Sequence, residues 1–225
     1  MASNGFVTAA ATRNTPLMSA KASFDSIADY YNKRVDQYGC HPSACDYGRP
    51  ESQRKKFQVL AEVCDLTGRS VLDVGCGFAD YATYLQERFP NVVYEGVDLS
   101  PSMIRQAQLL HPFLDLRVHN ILDESVPEEP THDVVTANGI FYLLGDEAPQ
   151  LMRQLVKAMF GRARIAVAFN SLSTWAQTLE PGEFNADPLA TVAWCRQISP
   201  WVVLRHDYMP HDFTVLLYRK QIPVL

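Results

Sequence analysis

From residue 69 onward the chain alternates short apolar runs with segments of helical period. Stretches rich in β-branched and aromatic residues at 69–74, 92–98, 114–118, 132–137, 163–169, 202–208 and 213–219 predict seven strands. Between them, apolar residues recurring every three or four positions predict helices near 79–88, 101–110, 147–159 and 187–197. Upstream, residues 24–38 place Ile27, Tyr30, Tyr31 and Val35 on one helical face, and Gly39 and Pro42 end that helix. A second helix starts near Glu51 and carries Phe57, Leu60 and Val63. Strand–helix alternation predicts βαβ units and a parallel sheet. Only Met209 to Asp212 separates the last two strands, too little chain for a crossover, so they must form an antiparallel hairpin. The expectation is one α/β, doubly wound domain: a seven-stranded, mostly parallel sheet with a C-terminal antiparallel hairpin.

Residues 1–22 are small and polar, with no acidic residue and only Arg13 and Lys21 charged, and read as a disordered leader. Residues 23–65 are expected to form a helical cap and 66–225 the sheet core. A chain of 225 residues suits one such domain. The formal net charge of −5 argues against a phosphate backbone as partner. Arg54-Lys55-Lys56, a basic run on the second helix, reads as a solvated face. No apolar run approaches the ~20 residues that cross a bilayer, so no transmembrane segment is expected. Five cysteines in no scaffold spacing point to a reducing, cytoplasmic setting. Cys40, His41 and Cys45 lack the second ligand pair of a structural zinc site, so no metal is expected there.

The chemistry centres on Arg69-Ser-Val-Leu-Asp-Val-Gly-Cys-Gly-Phe-Ala-Asp80, a strand entering a glycine turn and then a helix. Gly75 and Gly77 permit a sharp turn and a close approach to a ligand. Asp98 ends the next strand nineteen residues beyond Ala79, near the ~20 expected of an acid that accepts from ribose hydroxyls. A nucleoside-bearing cofactor follows. Asp80 stands where a dinucleotide fingerprint wants its third glycine. Asp73, two residues before Gly75, would oppose a pyrophosphate but suits a ligand with an ammonium group. Both disfavour a dehydrogenase.

Segment 71–104 resembles the first two motifs of class I, Rossmann-like S-adenosylmethionine-dependent methyltransferases, where Asp-x-Gly-x-Gly is followed by an acid and then Ser-Pro-x-Met. The likeness extends to the tyrosine-bearing N-terminal helix, Asn120-Ile121 after the third strand, Asn138-Gly139 after the fourth, and the terminal hairpin. The resemblance implies that Gly75 and Gly77 approach the methionine part, Asp98 binds the ribose and Met103 packs on adenine. It also puts Asn120 and Ile121 at the adenine amino edge. Asp73, Cys76, Leu99 and Asn138 complete the implied cofactor set. Two departures stand out: Ala79 replaces a common glycine, and Asn120 replaces a common aspartate. The tail, 168–173 with 211–214, is similar to a group of bacterial small-molecule methyltransferases.

Ligands of open α/β sheets bind outside the carboxyl ends of the strands. That rule makes Phe141, Asn170, His206 and Asp212 candidates for the acceptor, with Tyr30 from the N-terminal helix. His211, Asn138 and Tyr31 are candidates for catalysis, His211 because an imidazole in the hairpin turn titrates near neutrality and can take or orient a proton. Adjacent helical positions point about 100° apart, so at most one of Tyr30 and Tyr31 caps the cofactor, and Tyr31 is preferred. His111, His119 and His132 read as structural or surface residues. The expected reaction is methyl transfer to an N or O atom of a small molecule by in-line displacement. Protein or nucleic-acid methylation, or a catalytically silent cofactor-binding module, are the alternatives.

Overall fold

The computed structural model describes residues 20–46 and 50–222; the expected leader lies, up to residue 19, outside the described residues. Seven strands form one sheet: β1 (Ser70–Val74), β2 (Val93–Asp98), β3 (Asp115–Val118), β4 (His132–Ala137), β5 (Ala163–Leu172), β6 (Trp201–Met209) and β7 (Asp212–Tyr218). Their order is β3-β2-β1-β4-β5-β7-β6. The first five are parallel, and β7 runs antiparallel between β5 and β6. The terminal hairpin is therefore present, and its turn lies at the carboxyl edge of the sheet. The winding reverses between β1 and β4, which opens a crevice at that edge.

Helices α1 (Ala20–Tyr38), α2 (Pro50–Ala61), α3 (Asp80–Gln86), α4 (Pro101–Leu110), α5 (Ala148–Arg162) and α6 (Pro188–Cys195) surround the sheet. Successive strand residues face opposite layers, so both faces must be covered. Leu72, Val135, Val167 and Val215 pack with Leu151, Leu155 and Met159 of α5 and with Trp194 of α6. Val71, Val134, Ala166 and Leu216 pack with Phe57 and Leu60 of α2, Leu85 of α3 and Ile104 of α4.

The Ser-Pro-x-Met run has a local reason. Ser100 caps α4 by accepting from the Met103 amide at 3.1 Å, and Pro101 takes the first turn, where an amide hydrogen would be unpaired anyway. Ser100 also donates to Asn32 Oδ1 at 2.8 Å, and Ser102 N donates to the same oxygen at 3.1 Å. These bonds fasten α1 to the core.

Three boundaries differ from expectation. β5 continues to Leu172 because Asn170, Ser171 and Leu172 pair with Thr214, Phe213 and Asp212 of β7. Asn170 and Ser171 are thus in the strand, not beyond it. α2 ends at Ala61, with Val63 still buried beyond it. On α1, Val35 is buried while Tyr30 is exposed, so the apolar face is narrower than predicted.

Candidate functional site

The glycine turn links β1 to α3. Gly75 and Gly77 have φ of 76° and 56°, and Ala79 follows at 62°. The amides of Gly75 and Cys76 donate to Val97 O at 2.7 and 3.0 Å, which pins the turn against the end of β2. A β-carbon at Gly75 would lie 2.3 Å from Ile140 Cγ2. A protein neighbour, the loop after β4, thus gives this position a reason to be glycine in addition to the expected approach of a ligand.

Asp98 is held by backbone donors, with Gly77 N on Oδ2 at 2.9 Å and Ser100 N on Oδ1 at 2.8 Å. Each carboxylate oxygen has a lone pair left for a further donor. Burial raises the Asp98 carboxyl, and the Ser100 and Gly77 amides oppose that rise. Asp73 accepts from Tyr94 Oη at 2.7 Å and Thr136 Oγ1 at 2.9 Å, and burial pushes its carboxyl up to about 6. The Cys76 thiol, buried and facing Asp98 and Asp73, is raised well above its ordinary value and is not a thiolate nucleophile.

These groups border a cavity of about 240 Å³ at the carboxyl edge of the sheet. Its wall includes Asp73, the turn residues Gly75, Cys76 and Gly77, and Asp98, Leu99 and Met103. Asn120, Ile121 and Asn138 also belong to it. The same wall carries Tyr31, Phe141 and Asp212 of the expected residues, together with Asp46, Lys56, Tyr142 and Glu183. Leu99, Met103 and Ile121 offer an apolar slot for a flat ring, and Asp98 offers free acceptor capacity for hydroxyls. The Tyr81 hydroxyl, in a side chain 1% exposed, lines the cavity without a hydrogen-bond partner. A buried orphan of this kind suits a polar ligand. The residues present therefore fit an adenosine-bearing amino acid.

Four expected residues stand outside the cavity wall. Tyr30 is exposed and donates to Asp46 Oδ2 at 2.7 Å. Asn170, fully buried, accepts from Gly139 N at 2.7 Å and donates to Asn138 Oδ1, so it braces the loop from behind. His206 bonds Ser173 Oγ at 2.9 Å and stacks on Phe213. His211 is absent from the wall, with a side chain 49% exposed. The hairpin delivers Asp212 instead, the first residue of β7, while His211 stays in the turn between the strands.

Several wall residues escaped the sequence reading. Lys56 belongs to the basic run read as solvated, yet it lies four residues before Leu60 and so shares the buried stripe; its Nζ is 2.9 Å from Asp212, a carboxylate 1% exposed. That spacing was the available signal. His119, read as structural, also lines the cavity. Asp46, Tyr142 and Glu183 lie in loops and carry no periodicity. Asp46 accepts from Tyr142 Oη at 2.6 Å and pairs with Arg34, while Tyr31 and Tyr142 hydroxyls meet at 2.7 Å. Since Tyr142 donates to Asp46, Tyr31 donates to Tyr142. This chain ties α1 and the segment after it to the β4 loop across the cavity.

Residues 72–163 match the family model described as a methyltransferase domain. A Mycobacterium tuberculosis protein provisionally named a methyltransferase is 29% identical over 155 residues, 66% of this chain and 92% of that one. Trans-aconitate 2-methyltransferase of Rhodopseudomonas palustris is 35% identical over 103 residues, 46% of this chain. The aligned part spans only 40% of that enzyme's length. The crystal structure of magnesium protoporphyrin IX methyltransferase from Synechocystis, with bound S-adenosylhomocysteine, superposes with a TM-score of 0.65 over 88% of this chain and 100% of that one. At 14% identity that likeness shows the fold. Sequence match and relatives agree that residues 72–163 are similar to a methyltransferase domain, and the fold is one shared with S-adenosylmethionine-dependent methyltransferases.

Proposed function

We propose that the protein transfers a methyl group from S-adenosylmethionine to an N or O atom of a small-molecule acceptor. The observation that carries this reading is one cavity lined both by the glycine turn with Asp98, taken as the cofactor end, and by Tyr31, Phe141, Tyr142 and Glu183, taken as the acceptor end. Bound cofactor supplies a methyl group on positively charged sulfur, which needs no protein nucleophile for its displacement. The chain's own work is binding, orientation and exclusion of water. Asp98 accepts from the ribose hydroxyls. Leu99, Met103 and Ile121 hold the adenine between apolar surfaces, with Asn120 at its amino edge. Asp73 and Gly75 to Gly77 receive the amino-acid end. The hydrogen-bonded Tyr31 and Tyr142 close the cavity over the reacting groups and keep them aligned, an effect that can contribute ~7–11 kcal/mol. An acidic surface, with formal net charge −5, favours a small acceptor over a nucleic acid.

The test has two parts. S-adenosylhomocysteine at one hundred times its Kd should stabilise the fold by about 2.7 kcal/mol, read as a rise in Tm. Incubation of a cell extract with methyl-labelled cofactor should then place label in the small-molecule fraction. Label confined to protein or nucleic acid would overturn the small-molecule reading.

A further inference from the structure

Once Asp73 and Asp98 are assigned to the cofactor, the charged side chains left on the cavity wall are Asp46, Lys56, Asp80, Glu183 and Asp212. Two of the carboxylates have cations of their own: Asp212 has Lys56 at 2.9 Å, and Asp46 has Arg34. Asp80 receives only a neutral amide, Gln53 Nε2 at 3.1 Å. Among the described residues, Glu183 has no ion pair and its carboxylate accepts no hydrogen bond. Burial, helped by the nearby Glu180 and Asp46 charges, raises its carboxyl above the usual range, and the Lys56 charge opposes that rise. Among the described residues, the cavity wall thus holds two carboxylates without a matching cation and no cation without a matching carboxylate.

The neutral part of the wall points the same way. Phe57, Tyr81 and Tyr142 present rings to the compartment. Aromatic faces carry negative quadrupole potential and attract ammonium groups, more so where water is excluded.

We propose that the acceptor carries a basic nitrogen, and that Glu183 is the carboxylate that holds it and takes its proton. This rests on the small-molecule reading above. The amine enters as an ammonium ion and passes one proton to Glu183. The freed nitrogen lone pair forms a bond to the methyl carbon while the carbon–sulfur bond breaks, its electron pair staying on sulfur. The products are an N-methylammonium ion and the thioether S-adenosylhomocysteine, and Glu183 returns its proton to water. A polycarboxylate in the same place would face Asp80 and Glu183 with no spare cation among the described wall residues to receive it.

The experiment titrates the protein, saturated with S-adenosylhomocysteine, with phenethylamine, 2-phenylethanol, phenylacetate and trans-aconitate, followed by calorimetry. Phenethylamine is expected to bind in preference to the other three. Glu183→Gln should weaken it at least ~10-fold, the loss of a charge-assisted contact, while the affinity for S-adenosylhomocysteine stays the same. Tighter binding of phenylacetate or trans-aconitate, no binding of the amine, or equal amine affinity in the Glu183→Gln protein would overturn the inference. The preceding saturation step separates the two readings. Failure of S-adenosylhomocysteine to bind defeats the proposed function itself, whereas its binding without amine preference defeats the acceptor class alone.

Discussion

The cofactor end of the cavity comes from one stretch of chain, Asp73 to Ile121 with Asn138, and its key carboxylate is fixed by main-chain donors. The acceptor end is assembled from Tyr31, Asp46, Lys56, Tyr142, Glu183 and Asp212, each from a different segment, and all but Glu183 are held by side-chain pairs. Main-chain geometry tolerates sequence change around it, provided the glycines and the acid remain. Side-chain pairing does not: exchanging Lys56 or Glu183 changes the charge of the compartment at once. One end can therefore stay constant while the other is refitted to a new acceptor, and the two should respond separately to mutation.

The largest effect expected is at the cofactor end. Gly75→Val forces a β-branched residue into a left-handed conformation and drives its side chain into Ile140, whose Cγ2 would lie 2.3 Å from the new β-carbon. Backbone strain of ~1–2 kcal/mol and overpacking of ~1–3 kcal/mol should together cost about 2–5 kcal/mol in urea unfolding. Cofactor binding should be lost with it. A cost below about 1 kcal/mol would show that the loop yields freely and that the two ends are less rigidly joined than described.

At the acceptor end, Lys56→Met strips the buried Asp212 of its cation and should cost about 2–3 kcal/mol at pH 7. Burial raises the Asp212 carboxyl in the folded state. The folded state then binds a proton that the unfolded state releases, so stability is retained in acid and lost as pH rises through the folded value. The deficit of Lys56→Met should accordingly shrink near pH 4, while affinity for S-adenosylhomocysteine stays within about twofold at pH 7, about 0.4 kcal/mol. A comparable loss of cofactor affinity would join the two ends into one unit.

A pH series sharpens the comparison further. Asp73, pushed up to about 6, stabilises the ligand-free fold fully below the unfolded carboxyl value and loses that contribution as pH rises through about 6. An ammonium ligand prefers the ionised form, so binding releases a proton below pH 6. Affinity for S-adenosylhomocysteine should fall by up to ~10-fold per pH unit there, about 1.4 kcal/mol. A flat profile between pH 5 and 8 would remove Asp73 from the ammonium site. The smallest effect is expected for His211→Ala. With a side chain 49% exposed and outside the wall, its loss should alter stability and cofactor affinity by less than about 0.5 kcal/mol. A tenfold fall in turnover would restore the catalytic role that its place in the turn suggested.

Most of the sheet was legible because its strands are buried on both faces and read as apolar runs, and because four residues cannot make a crossover. The cofactor end was legible because a glycine turn, a distant acid and a capped helix lie in register along one segment. Asn170 was misplaced because the end of β5 is set by pairing with β7, forty residues later, and polar residues give no strand signal. Lys56 was misread because a triplet of cations looks solvated, although helical phase puts only its third member on the Leu60 stripe. His211 and Asp212 are neighbours at the hairpin, and where the turn ends and β7 begins, set by the pairing of Asp212 with Leu172 and Met209, decides which one faces inward. Asp46, Tyr142 and Glu183 depend on loop paths that no local pattern encodes.

The central claim, that the cofactor end is organised around Asp98, is tested most directly by calorimetric titration of S-adenosylhomocysteine into the parent protein and Asp98→Ala. Asp98 accepts from Gly77 N and Ser100 N and keeps acceptor capacity facing the cavity. Removing a charged acceptor from a buried site should weaken binding by about 2–4 kcal/mol, roughly 30- to 900-fold in Kd. Equal Kd values for the two proteins, with both fully folded, would contradict the account.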